Sequence, residues 1–146
     1  MNSYKSSDSR LRLWCARGLI LSVFCANLTA AIPFIINPER FVPGFELSGL
    51  SGEVSVRGLG IVFLMWNATF PPVILRPDRF RILFSVMLVQ QMIGLFGETA
   101  MWLSLPAGHA ALRATGMRFI LFDGFGLAAL IFAFFLSRKI PMDTSL

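Results

Sequence analysis

Four apolar runs, at 13–36, 54–75, 82–105 and 119–136, divide the chain. Each is long enough to cross a bilayer as a helix, which takes roughly 20 apolar residues. The runs are continuous rather than alternating, so helices are predicted and barrel strands are not. No internal repeat or low-complexity stretch interrupts them. The segment 1–12 is polar and is expected to be disordered at its start. Basic residues ahead of the first run have the look of a secretion signal. No convincing small-residue cleavage site follows, so the run is read as a permanent span.

The connections differ in character. The first, 37–53, holds prolines and glycines but also Phe41, Phe45, Leu47 and Leu50. A loop this apolar is expected to lie along the membrane interface or over the mouth of the bundle. Pro71 and Pro72 should stop or kink the second span, because each lacks an amide hydrogen and crowds the preceding turn. The carbonyls of Asn67 and Ala68 would then need partners from elsewhere in the protein. Segment 76–81 is short and basic, making the second and third spans antiparallel neighbours. An amphipathic piece at 109–118 leads into the fourth span, which Arg138, Lys139 and Pro141 close.

Composition agrees with a membrane reading. The 146 residues allow one domain, 1–146. Charged residues make up 14% and apolar ones 55%, with a mean hydropathy of +0.70. Soluble domains carry about 25% charged residues. The expected fold is therefore all-α, an integral membrane four-helix bundle with the lipid bilayer as its surroundings. The net charge of +5 does not point to nucleic acid, because the basic residues flank the runs instead of forming a stripe. Lys5, Arg10, Arg12, Arg17, Arg76, Arg79, Arg81, Arg138 and Lys139 fall on one side, against Arg40, Arg57, Arg113 and Arg118 on the other. The richer side is expected to be the cytoplasm, with both termini there. Cys15 and Cys25 are ten residues apart on one predicted helix, about 15 Å. That is too far for a disulfide, whose Cα atoms lie within about 7 Å.

Candidate chemistry centres on the third span, which carries Gln90, Gln91 and Glu98. A carboxylate inside hydrocarbon must face protein or water and find a partner. Counting inward from the outer edge of each run at the helical rise, Arg57 sits about 2 Å deep, Asp123 about 7 Å and Glu98 about 10 Å. Arg118 and Glu53 stand just above them. These five could form a static ion-pair cluster that fixes helix order, or an outer-facing site where Glu98 or Asp123 binds a proton or cation. A deeper polar layer holds Asn27, Asn67 and Gln91, with Gln90 beside it. It serves either as packing glue or as a polar track toward Glu98. Gly58, Gly60, Gly94, Gly97, Gly124 and Gly126 offer strips for close helix approach.

Several patterns fail on context. The glycosylation-like triplets at Asn27 and Asn67 lie inside spans. His109, the single histidine, cannot supply a bis-histidine haem site and has no zinc-ligand spacing around it. It is read as an interfacial side chain, and no metal site is expected. Trp14 and Trp102 suit interfacial anchoring. No nucleotide-binding loop or nucleophile elbow occurs, so no cofactor is evident and no catalytic residue can be named.

The layout resembles the DoxX-like group of small four-span bacterial membrane proteins. The likeness rests on the span pattern and on an acid followed by Arg-Gly at the second span, here Glu53-Val54-Ser55-Val56-Arg57-Gly58-Leu59-Gly60. It implies the bacterial cytoplasmic membrane, a link to quinone-dependent oxidoreductases, and Arg57 as a residue carried over. The Asn67 and Pro71-Pro72 segment and the Gln90-Gln91 pair are not matched to the group. Three functions are consistent with these readings. The first expected is an accessory or scaffold subunit of a larger membrane complex, quinone-linked by resemblance. A small transporter coupled to protons or cations through Glu98 or Asp123, working as a homo-oligomer, is the second. A membrane enzyme acting on quinone or lipid is the third.

Overall fold

A computed structural model describes residues 2–138, with side chains described from Arg10 onward. All regular structure among these residues is helical. Helix α1 (Asn2–Ile36) leads through two short 3-10 turns, Pro38–Arg40 and Val42–Phe45, into α2 (Gly49–Asn67). Then follow α3 (Phe70–Leu75), α4 (Arg81–Ser104) and α5 (Ala110–Leu136). Four stretches are long and apolar enough to cross a membrane: Arg10–Ile36, Gly49–Leu75, Arg81–Ser104 and Ala110–Leu136. The expected count of spans, their order and the all-α class therefore hold.

Two boundaries differ from the hydropathy reading. The first helix begins at Asn2, well ahead of the apolar run that starts at Leu13. No glycine or proline occurs between Asn2 and Arg17, and extending a helix that already exists is far easier than starting one. The piece at 109–118 is likewise continuous with the last span, so α5 starts at Ala110. Its entry is the turn after Pro106, where Gly108 takes a left-handed φ of 100°.

The second span is broken, and just ahead of its prolines. Helix α2 stops at Asn67, and Pro71 and Pro72 fall in the first turn of α3. Proline is tolerated there because those amides have no helical acceptor to lose. Asn67 turns back to bind its own helix, its Nδ2–H donating to the Phe63 carbonyl at 2.7 Å.

Helix α1 packs against α2, α3 and α5, and α4 packs against α5 and α3. Along α1 and α2 the touching pairs are Ile35 with Arg57, Ala31 with Gly60, and Asn27 with Asn67. Along α4 and α5 they are Phe84 with Phe134, Gln91 with Asp123, and Trp102 with Gly116. The apolar interior is in two parts. One gathers Ile20, Val23, Phe70, Val73, Phe84, Met87 and Leu130. The other gathers Phe34, Val42 and Val56, with Phe41, Phe45, Phe63 and Phe119 around them. This second core is closed by the loop that carries the 3-10 turns; that end is called the capped end below. At the opposite end Arg81 Nη1 donates to the Phe134 carbonyl and to Ser137 Oγ, both at 2.9 Å. A cation there answers the free carbonyls that end α5.

Gly60 is a point of close approach between α1 and α2. A Cβ at this position would lie 2.8 Å from the Ala31 carbonyl oxygen and 2.8 Å from Phe34 Cβ. Backbone oxygen cannot rotate aside, so the helices would have to separate. Gly60→Val is expected to destabilise the folded protein by about 1–3 kcal/mol, the usual cost of overpacking. Gly58→Ala, which meets nothing within 4 Å, is expected to change little. Unfolding of the two variants in detergent is the check.

Candidate functional site

Between the two apolar cores each of the four spans contributes one polar side chain: Asn27 from α1, Asn67 from α2, Gln91 from α4 and Asp123 from α5. Asn67 and Gln91 are each only 3% exposed. Their hydrogen bonds follow from one fixed point. The Phe63 carbonyl can only accept, so it takes the Asn67 Nδ2–H. Asn67 Oδ1 is thereby left to accept from Asn27 Nδ2, at 2.9 Å. On the other pair of helices Gln91 Nε2 donates to Asp123 Oδ1 at 2.9 Å and to the Asp123 carbonyl at 3.3 Å.

Glycines make room for the second pair. A Cβ at Gly94 would stand 2.5 Å from Asp123 Oδ2, and one at Gly126 would stand 3.1 Å from Gln91 Nε2. Each helix thus receives the other's polar side chain where it has none of its own. Gly124 comes no closer than 3.9 Å to Leu95, while Gly58 and Gly97 touch nothing within 4 Å. Of the predicted small-residue strips, close approach is confined to Gly60, Gly94 and Gly126.

Above this level, toward the cap, lies a cavity of about 390 Å³. That falls within the roughly 300–1,000 Å³ of small-molecule sites. Its polar lining is Asn27, Thr29, Asn67, Gln91, Glu98, Thr115 and Asp123, with Arg40 and Arg118. Its walls are aromatic: Phe34, Phe41, Phe45, Phe63, Trp66, Phe119 and Phe122. The rings brace one another, with Phe34 at 4.7 Å from Phe41 and 6.3 Å from Phe119, both edge to face. Glu98 Oε2 is buried and accepts no hydrogen bond among the described residues.

The cap is held by a carboxylate that the sequence reading passed over. Glu46 sits at φ 54°, a left-handed backbone uncommon for a residue with a Cβ. Its Oε2 is 2.5 Å from His109 Nδ1, and its Oε1 accepts from the Leu112 amide at 3.2 Å. The hydrogen bond from His109, and then that amide, hold the Glu46 carboxyl below the ordinary glutamate range. Leu112 lies in the first turn of α5, so Glu46 caps that helix from another part of the chain. Thr115 Oγ1 adds a bond to the Gly44 carbonyl at 2.7 Å. His109 is therefore a clasp as well as a surface residue. A separation of 63 positions leaves no local signal for such a pair.

The structure brings together some of the predicted residues and separates others. Glu98, Asp123 and Arg118 line the one cavity, as do Asn27, Asn67 and Gln91. Arg57 is not among the lining residues; its Nε donates to the Ile35 carbonyl at 3.2 Å. Glu53 and Gln90 do not line it either, and Gln90 Oε1 is buried without a partner. Among the described residues no ion pair within 4.0 Å joins Glu98 or Asp123 to an arginine; the pair formed is Glu46 with His109. The two expected layers also meet, since Asp123 binds Gln91. Asp123 looked shallow because its depth was counted from Phe119. Counted from Ala110 it is thirteen residues in, about 20 Å, as is Gln91 from Ser104. No protein-family model matches the chain, nor does any curated protein or solved structure.

Asp123→Ala is expected to cost about 1–2 kcal/mol, because it removes the better acceptor from a buried amide. Asp123→Asn keeps an acceptor oxygen and is expected to cost clearly less. Equal losses in a denaturation series in lipid micelles would mean that the Gln91 bond carries no weight.

Proposed function

We propose that the chain is a small-molecule-binding protein of the membrane, a four-span carrier that takes its ligand into the cavity beneath the cap. Glu98 or Asp123 holds the coupling proton or cation. In this reading neighbouring spans run antiparallel, the termini lie in the cytoplasm and the cap faces outward. The contact pairs 35–57, 31–60 and 27–67 support the first point, as do 84–134 and 91–123. Nine basic residues against four support the second.

One observation carries the proposal. Two carboxyl side chains face a cavity of small-molecule size walled by aromatic rings, and neither is closed off by an arginine. A bundle needed only for shape would gain from sealing such groups with ion pairs or from filling the space.

A second reading, an accessory subunit of a larger complex, draws on Gly18, Gly58 and Gly97. A Cβ at any of these would meet nothing of the rest of the described chain within 4 Å, so they would admit helices of a partner. The resemblance to DoxX-like proteins would add a bacterial cytoplasmic membrane and a quinone to that reading.

Affinity purification from native membranes, with mass spectrometry of small molecules and proteins, tests between the two. The wild-type chain should retain a small molecule in near-equal amount. Ala30→Trp, which fills the cavity from its wall, should lose it at unchanged thermal stability. Loss of nothing small, with a larger complex accompanying both forms, would contradict the carrier and favour the subunit.

A further inference from the structure

The hydrogen-bonding capacity left unused in the cavity narrows the ligand. Gln91 spends both of its N–H groups on Asp123, while Asn27 and Asn67 each give one N–H to a protein acceptor, Asn67 Oδ1 and the Phe63 carbonyl, and keep a second. Both threonines spend their hydroxyl hydrogens inside the protein, Thr29 on the Ala26 carbonyl and Thr115 on that of Gly44. Four oxygens accept no hydrogen bond from the described residues, Glu98 Oε2, Asp123 Oδ2, Gln91 Oε1 and Asn27 Oδ1, and they outnumber the spare N–H groups of Asn27, Asn67 and Trp66. Carboxylate and amide oxygens accept and cannot donate. A ligand that reaches them must therefore bring donors. A quinone, whose ring oxygens only accept, would leave them unmet.

Charge and shape point the same way. The walls nearest the inner end include Phe63, Phe122 and Trp66, and aromatic faces attract cations, more strongly where water is displaced. Two guanidinium groups also line the cavity, but Arg40 and Arg118 are both exposed. Arg118 stands five residues nearer the capped end than Asp123, about 8 Å by the helical rise. Asp123 thus lies deeper than Arg118, while Glu98, six residues in from Ser104, stands near the level of Arg118 with no ion pair to it within 4.0 Å among the described residues. The deepest charged group in the lining is thus a carboxyl, that of Asp123, with Glu98 between it and the cap.

We infer that the ligand is an apolar organic ammonium ion, its N–H groups directed at Glu98 and Asp123 and its hydrocarbon part held by the phenylalanine walls. This rests on the carrier reading and specifies its substrate class.

Three probes with a common ring separate the possibilities: 1-naphthylmethylammonium, 1-naphthalenemethanol and 1,4-naphthoquinone. Their binding is measured by equilibrium dialysis against the full chain in nanodiscs, with empty nanodiscs as the blank and with Cys15→Ser and Cys25→Ser to prevent reaction with the quinone. The ammonium ion should bind at least ten-fold more tightly than the alcohol or the quinone. Glu98→Gln and Asp123→Asn, tested singly so that each covers for a folding failure of the other, should each weaken it ten-fold or more. Equal binding of the alcohol or quinone, no ammonium binding above the blank, or ammonium binding indifferent to both substitutions would overturn the assignment. A retained native molecule without a basic nitrogen, lost in Ala30→Trp, would overturn it while leaving the carrier in place.

Discussion

The hydrogen bond from Gln91 to Asp123 is the constraint around which the bundle is arranged. It joins α4 to α5 about 20 Å inside their capped ends. At that depth an unmet amide or carboxyl group is costly, because lipid offers no replacement partner. The bond can form only where the two backbones come close, and Gly94 and Gly126 are the positions that allow it. Polar pair and glycine seats make one device. Lose the seats and the bond is strained; lose the bond and the seats become holes.

That device sets the level at which the interior changes character. On one side of it, residues such as Ile20, Phe84, Met87 and Leu130 form a buried aliphatic and aromatic core. Toward the cap the interior is aromatic and leaves a cavity instead. Asn67 stands at the same level on the broken second span, and its side chain ties the end of α2 to α1 through Asn27. The cap is fastened separately, by Glu46 on the first turn of α5 and by Thr115 on Gly44.

Much of this was legible in the residues alone, and the exceptions are instructive. Hydropathy located four spans because each apolar run meets the length that a bilayer demands. It misplaced the starts of α1 and α5, since helix propagation does not stop where apolarity does. Pro71 and Pro72 correctly announced a break, yet their tolerance of a first helical turn moved that break to Asn67. Glu98 and Asp123 could be recognised as a pair of related groups from their cost in hydrocarbon. That no arginine would pair with them could not be foreseen, because rotation about each helix axis decides facing and a single sequence does not report it. Arg57 was expected beside Glu98 and instead serves the end of α1. The clasp of Glu46 and His109 had no sequence signature at all.

The central claim is that Glu98 borders a space reached by water-borne solutes, neither sealed by ion pairs nor turned toward acyl chains. Single cysteines at Glu98 and at Phe96, in a background lacking Cys15 and Cys25, test it directly. Phe96 is 68% uncovered by the chain and two residues away on the same helix, so it reports the lipid-facing surface. In nanodiscs, where both faces are open to solution, a small charged thiosulfonate should modify Glu98→Cys readily and Phe96→Cys hardly at all. Equal protection at the two positions, or faster modification at Phe96, would contradict the account.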